Sequence, residues 1–183
     1  MGNWKLAAAM AMGSVIALST PTMARNPMVG GAPMYSTNNI VQNAVNSKDH
    51  TTLVAAVKAA GLVDTLSSKG PFTVFAPTNA AFGKLPAGTV ETLIKPESKE
   101  MLTKILTYHV VPGRITAQQI ASMAAKHGGT ATLKTVEGEN LMFRKAGSSW
   151  WVVDAKGGKA RITIANVMQS NGVIHVVDTV LMP

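Results

Sequence analysis

The sequence predicts an α+β fold. Apolar residues recur at helical spacing between residues 38 and 123, whereas after residue 130 they gather in short β-branched runs. Those runs are broken by Glu137-Gly138, Ala146-Gly147-Ser148, Lys156-Gly157-Gly158 and Ser170-Asn171-Gly172, the pattern of an antiparallel meander. One strand stands apart. Gly70–Phe82, GPFTVFAPTNAAF, packs a strand, a corner and a helix start into thirteen residues among the helices.

That early strand organises the rest. Phe72–Ala76 is apolar and rich in β-branched and aromatic residues, and Pro77 cannot donate to a sheet ladder, so the strand ends there. Thr78 and Asn79 carry oxygens that can cap a helix beginning at Asn79 or Ala80, and Phe82 returns one turn later over the strand. Before it, Ile40, Val41, Ala44 and Val45 lie at helical spacing. Thr51-Thr52 are expected to cap a second helix with the stripe Leu53, Val54, Val57 and Ala60. Gly61 is placed to close it in the left-handed region, with Leu62 covering the end. Another turn is expected over Leu62–Leu66.

After Phe82, Pro86–Ile94 and Pro96–Thr107 read as helices divided by Lys95-Pro96. Met101, Leu102, Ile105 and Leu106 supply the core face of the second, and Glu100 with Lys104 makes an i,i+4 pair. It runs into Tyr108-His109-Val110-Val111, and Pro112-Gly113 forces a turn. Thr116–Gln119 is a capping box for a helix through Met123. Strands are expected at Thr130–Val136, Leu141–Lys145, Trp150–Asp154, Ala160–Val167 and Gly172–Leu181. In the last, Val173, His175 and Val177 share one face and Ile174 and Val176 the other, so it is expected to be central and covered on both sides.

A chain of 183 residues, 46% hydrophobic, suffices for one domain with a sizeable core. Residues 1–24 read as a secretory signal: Lys5, an apolar run over Leu6–Leu18 too short to span a bilayer, and small residues in Thr22-Met23-Ala24. Residues 25–37, poor in periodicity, read as a flexible leader, and 38–183 as the domain. The expected product is therefore secreted or periplasmic, without a stable transmembrane segment, and monomeric. With no cysteine there is no disulfide framework. The net charge of +8 is scattered, with near-runs only at Arg144-Lys145 and Lys156 to Arg161. Nucleic-acid binding would need a denser patch interleaved with aromatics. Attraction to anionic envelope polymers is compatible with this surface.

Three segments, FTVFAPTNAAF, YHVVPGRIT and SNGVIHVVDTVLMP, in this order and spacing, resemble the first block, the tyrosine–histidine segment and the closing block of the fasciclin domain. The resemblance spans about residues 38–183. It implies a β-wedge or sandwich of about seven mostly antiparallel strands with several packed helices. The first and last blocks would be neighbouring central strands. It further implies an exported, non-enzymatic adhesion or interaction module for cell-surface or extracellular-matrix components, protein or polysaccharide. In animal members adhesion is linked to the tyrosine–histidine pair, here Tyr108 and His109, and to an acidic Asp-Ile before the closing block. Asn166-Val167 stand at that second place, so the carboxylate is missing.

Tyr108 and His109 are thus the candidate binding residues, although satisfaction of the corner's unpaired carbonyls is the stronger reading of the pair. No catalytic residue, metal site or cofactor is expected. His50, His109, His127 and His175 show no ligand spacing, and no nucleophile elbow or phosphate loop is present. His175 reads as a hydrogen-bonded core histidine. Trp150 and Trp151 must face opposite sides of one strand, and the more exposed one could stack on a sugar. That leaves an envelope carbohydrate or peptidoglycan binder as the alternative function.

Overall fold

The computed structural model describes residues 26–183; the expected signal, residues 1–24, lies outside them. Among these residues are nine strands and seven α-helices, the helices all before residue 127 and five of the strands after it, as the composition shift implies. A two-residue pair, β1 (Met28–Val29) and β2 (Ala32–Pro33), precedes the helices α1 (Ile40–Ala44), α2 (Thr51–Ala60) and α3 (Val63–Ser67). Then come β3 (Phe72–Pro77), α4 (Asn79–Gly83), α5 (Thr89–Leu93) and α6 (Lys99–Tyr108). β4 (Val110–Pro112) and α7 (Ala117–Lys126) lead into the meander. Its strands are β5 (Thr130–Lys134), β6 (Asn140–Ala146), β7 (Ser149–Val153), β8 (Lys159–Gln169) and β9 (Gly172–Val177).

Seven strands form one sheet in the order β4-β3-β9-β8-β7-β6-β5. Every pairing is antiparallel except the central one, where β3 and β9 run parallel from Phe72 beside Gly172 to Pro77 beside Val177. The two expected central segments are therefore adjacent. Period-two alternation on this pair separates two cores. Val74, Ala76, Ile174 and Val176 face α1, α2, α4 and α6 through Ile40, Leu53, Val57, Phe82 and Leu106. Phe75 and Val177 face a second core with Val111, Ile120, Leu141, Phe143 and Val152. Phe75 stacks on His175 with ring centroids 5.4 Å apart, and meets Phe143 at 5.1 Å.

Local chemistry explains most of the boundaries. Thr78 accepts from the Ala81 amide at 3.2 Å, and Thr116 and Gln119 close a full capping box. Gly61 has φ +73°, and the Leu62 amide reaches back to the Val57 carbonyl, the closure expected for α2. Gly172 permits the closest approach: a Cβ there would lie 2.0 Å from the Phe72 carbonyl oxygen.

Several expectations need correction. Thr51-Thr52 do not cap α2; the Thr52 amide donates to the Asn79 side chain at 3.0 Å, a partner 27 residues away. Pro86–Ile94 is helical only over Thr89–Leu93, because Gly88 precedes it at φ +81°. The last strand stops at Val177, where Asp178 turns to accept from the Arg161 amide at 2.9 Å. Within the expected leader, residues 28–33 form the small β1–β2 hairpin, and Val29 and Met34 are buried against the first core. The Lys48 amide on the Gly30 carbonyl and the Asn43 side chain on Tyr35 hold that piece down with them.

Candidate functional site

The corner between α6 and β4 is built by a helix whose apolar stripe, Leu102, Ile105 and Leu106, holds it on the first core. Tyr108 ends the helix and His109 caps it in right-handed backbone, so both rings are carried inward. They are 0% and 2% exposed, which places neither candidate binding residue on the surface. The hydroxyl of Tyr108 donates to the Asn140 carbonyl at 3.2 Å and accepts from the Ala155 amide at 2.9 Å. Burial raises its pKa, partly opposed by the Ala155 hydrogen bond.

His109 bridges two distant segments. Nδ1 meets the Ile105 carbonyl at 2.8 Å and must donate, leaving Nε2 to accept from the Leu181 amide at 3.0 Å. Desolvation lowers its pKa to about 4, against the Ile105 carbonyl and the Asp154 charge. The neutral tautomer is the one the site fits. Asp154, also buried, accepts from the amides of Lys156, Gly158 and Met182 at 3.1, 2.6 and 3.0 Å. Tyr108, His109 and Asp154 thereby tie the β5–β6 turn, the β7–β8 turn and the C-terminal segment to the end of α6.

In the sequence Asp154 closes an expected strand, and Asp ahead of Ala-Lys-Gly-Gly is a signal for side chain-to-backbone turn bonding. Its union with the tyrosine–histidine pair was not readable. Beside this knot an open groove of about 200 Å³ is lined by Met101, Lys104, Lys156, Met182 and Pro183. Met101 is 61% exposed there, an apolar tip between two cations.

The other candidates scatter. His175 is fully buried; Nε2 meets the Ile115 carbonyl at 2.9 Å and Nδ1 accepts from the Asn166 amide at 3.3 Å, with its pKa lowered by burial. His50 pairs with Ser47 at 2.9 Å, and its Nε2 has no hydrogen-bond partner among the described residues; burial lowers its pKa too. His127 lies exposed on the Met123 carbonyl. Among the described residues, no three His, Cys, Asp or Glu side chains gather where a metal ion could sit. Asn166, where the acidic residue was looked for, adopts φ +58° and accepts from the Ala117 amide at 2.8 Å at the start of α7. It serves the backbone there. Trp150 packs against the second core, while Trp151 lines a groove on the other side of the sheet.

A family model described as the fasciclin domain matches residues 48–183. Protein sll1483 of Synechocystis sp. is 48% identical over 175 residues, which cover 96% of this chain and 90% of that protein. Immunogenic protein MPB70 of Mycobacterium bovis is 38% identical over 145 residues, 76% of this chain and 66% of its own length. Among solved structures, the FAS1 domain pair of the insect cell adhesion molecule fasciclin I superposes with a TM-score of 0.70 at 18% identity. The match covers 80% of this chain and 51% of that one.

Proposed function

The chain belongs to the fasciclin-domain family, and from that premise we propose that it is an exported, monomeric, non-enzymatic interaction module for cell-surface or matrix components. No helix among the described residues is long and apolar enough to cross a membrane, which suits a module that reaches its partner after removal of residues 1–24. A neighbour in fold is named a cell adhesion molecule. The observation that carries the reading is the knot at Tyr108, His109 and Asp154: buried groups hold three surface segments in one arrangement, beside the exposed Met101, Lys104 and Lys156. A rigid loop cluster on a packed wedge is what a binding module needs, because little ordering entropy is then lost on contact.

In this reading Tyr108 and His109 position the contact surface from beneath. Pull-down of purified protein on isolated cell envelopes tests it. Met101→Glu is expected to reduce retention with no change in melting temperature, and Tyr108→Phe to reduce both. Retention equal to wild type in both variants would reject this end of the wedge. The second reading, a carbohydrate-binding protein of the envelope, is favoured by one observation: Trp151 stands among cations on the outer sheet face.

A further inference from the structure

On the face of β6, β7 and β8 turned away from the second core, the register sets Arg144 beside Trp151 and Trp151 beside Arg161. The next row sets Met142 beside Val153 and Val153 beside Lys159. Two strand spacings, roughly 10 Å, separate the outer members of each row. An open groove of about 530 Å³ lies over these rows, with Met142, Trp151 and Val153 as its half-buried floor and Arg144, Lys145 and Lys159 at its rim. The ion pairs found among the described residues engage Lys84, Lys104 and Arg161, and none engages those three rim cations. Arg161 is held by Asp178 at 3.8 Å. On this face the groove therefore carries two positive charges, Arg144 and Lys159, without a carboxylate partner among the described residues; Lys145 lines its edge, but the register sets it beside Trp150 and alternation turns it to the opposite face.

We infer that this groove binds an acidic polysaccharide, with a sugar ring laid on the Trp151 indole and its uronate or sulfate groups paired to Arg144 and Lys159. The C–H bonds of a pyranose face carry partial positive charge and pack on the negative face of an aromatic ring. The rim cations supply the complement for charge on the sugar, and the guanidinium of Arg144 can take a carboxylate in a fork. A membrane surface fits less well. Insertion calls for protruding apolar side chains, and the strongly exposed ones, Met28, Tyr35, Val45, Ile94, Met101 and Val136, all lie outside this groove. The inference deepens the carbohydrate reading above and is independent of the Tyr108–His109 end.

Affinity electrophoresis of the protein in gels containing polygalacturonate, dextran sulfate, dextran or single-stranded DNA tests it, at about 0.15 M salt, the physiological ionic strength. Retardation is expected in polygalacturonate or dextran sulfate and not in dextran. Which of the two retards more tells uronate from sulfate. Trp151→Ala and Arg144→Gln should each weaken binding about tenfold, one good stacking or charge-assisted contact, with Trp151→Phe retaining most of it. Lys58→Gln, on α2, should leave it within about twofold. Circular dichroism melting confirms that each variant is folded. No retardation of wild type by either acidic glycan overturns the inference while leaving the loop-end contact standing. So does equal weakening by Lys58→Gln, which would mean diffuse charge, or tighter binding to DNA than to both glycans.

Discussion

Protonation of His109 sets a measurable acid sensitivity. In the unfolded chain its pKa is near the ordinary histidine value of 6.5, and in the fold it is about 4. Between those values the unfolded chain binds the extra proton and the folded protein does not. The stability contributed by the neutral ring is thus fully present above pH 6.5 and is lost as pH falls toward 4. A difference of about 2.5 units is on the order of 3 kcal/mol at full protonation, of which about 2 kcal/mol falls between pH 7 and 5. Structurally, a proton on Nε2 would face the Leu181 amide that now donates to it. His50 and His175, both with lowered pKa, steepen the wild-type curve in the same direction. The comparison that isolates His109 is therefore His109→Gln, which removes the titration. Urea unfolding at pH 7, 6 and 5 should show the wild type losing about 2 kcal/mol more than the variant over that range. At an m-value of about 2 kcal/mol/M this is about 1 M in midpoint. Parallel pH profiles, with differences under about 0.5 kcal/mol, would refute the assignment of a neutral, amide-bound His109.

Phe75→Ala removes a fully buried ring from between His175 and Phe143 and should cost about 3–5 kcal/mol, a fall of roughly 10 °C in melting temperature. Gly172→Ala drives a methyl into the Phe72 carbonyl and should destabilise by more than about 2 kcal/mol in chemical denaturation, since the β3–β9 backbones have to part. Asn166→Ala loses the side-chain oxygen on the Ala117 amide and a residue tolerant of positive φ. About 1–2 kcal/mol is expected by thermal melting, while Asn166→Gly should recover part of it. Exchange of the Leu181 amide with deuterium should speed up by more than tenfold in His109→Gln if Nε2 is its acceptor in the folded state.

What the sequence disclosed is what short-range chemistry dictates. The Phe72–Ala76 strand, the Thr78 cap, the Gly61 closure and the Thr116–Gln119 box each depend on residues within a few positions, and all stand as read. The resemblance implies that β3 and β9 are neighbours, but their parallel orientation is visible only in the fold, because nothing local in Gly172–Val177 says which strand lies beside it or in which direction. Long-range side-chain partners escaped altogether. Asn79 satisfies Thr52, and Asn171 accepts from the Ile40 amide at 3.0 Å while donating to the Leu66 and Ser68 carbonyls at 2.8 Å. Buried Asn43 joins Tyr35 to Gln169 in the same manner. Such residues look like ordinary turn or surface amides in a one-dimensional reading, and only closure of the fold brings their partners within reach.

Tyr108 and His109 are recognisable because a fold that ends α6 at this corner must satisfy the Ile105 and Asn140 carbonyls and the Ala155 and Leu181 amides with whatever rings are carried inward. That demand is met in the interior, and it says nothing of the partner outside. The groups free to discriminate a ligand, Met101 and Lys156 at one end and Arg144, Trp151 and Lys159 on the sheet, carry no such internal obligation. Among the described residues, their side chains form none of the hydrogen bonds or ion pairs that hold the wedge together, although the Lys156 amide donates to Asp154. Substitutions there should therefore alter binding with little effect on melting, whereas changes at Tyr108, His109 or Asp154 should alter melting first and binding through it. Surface variants that lower the melting temperature as much as Tyr108→Phe does would show that recognition and stability are not separable in this molecule.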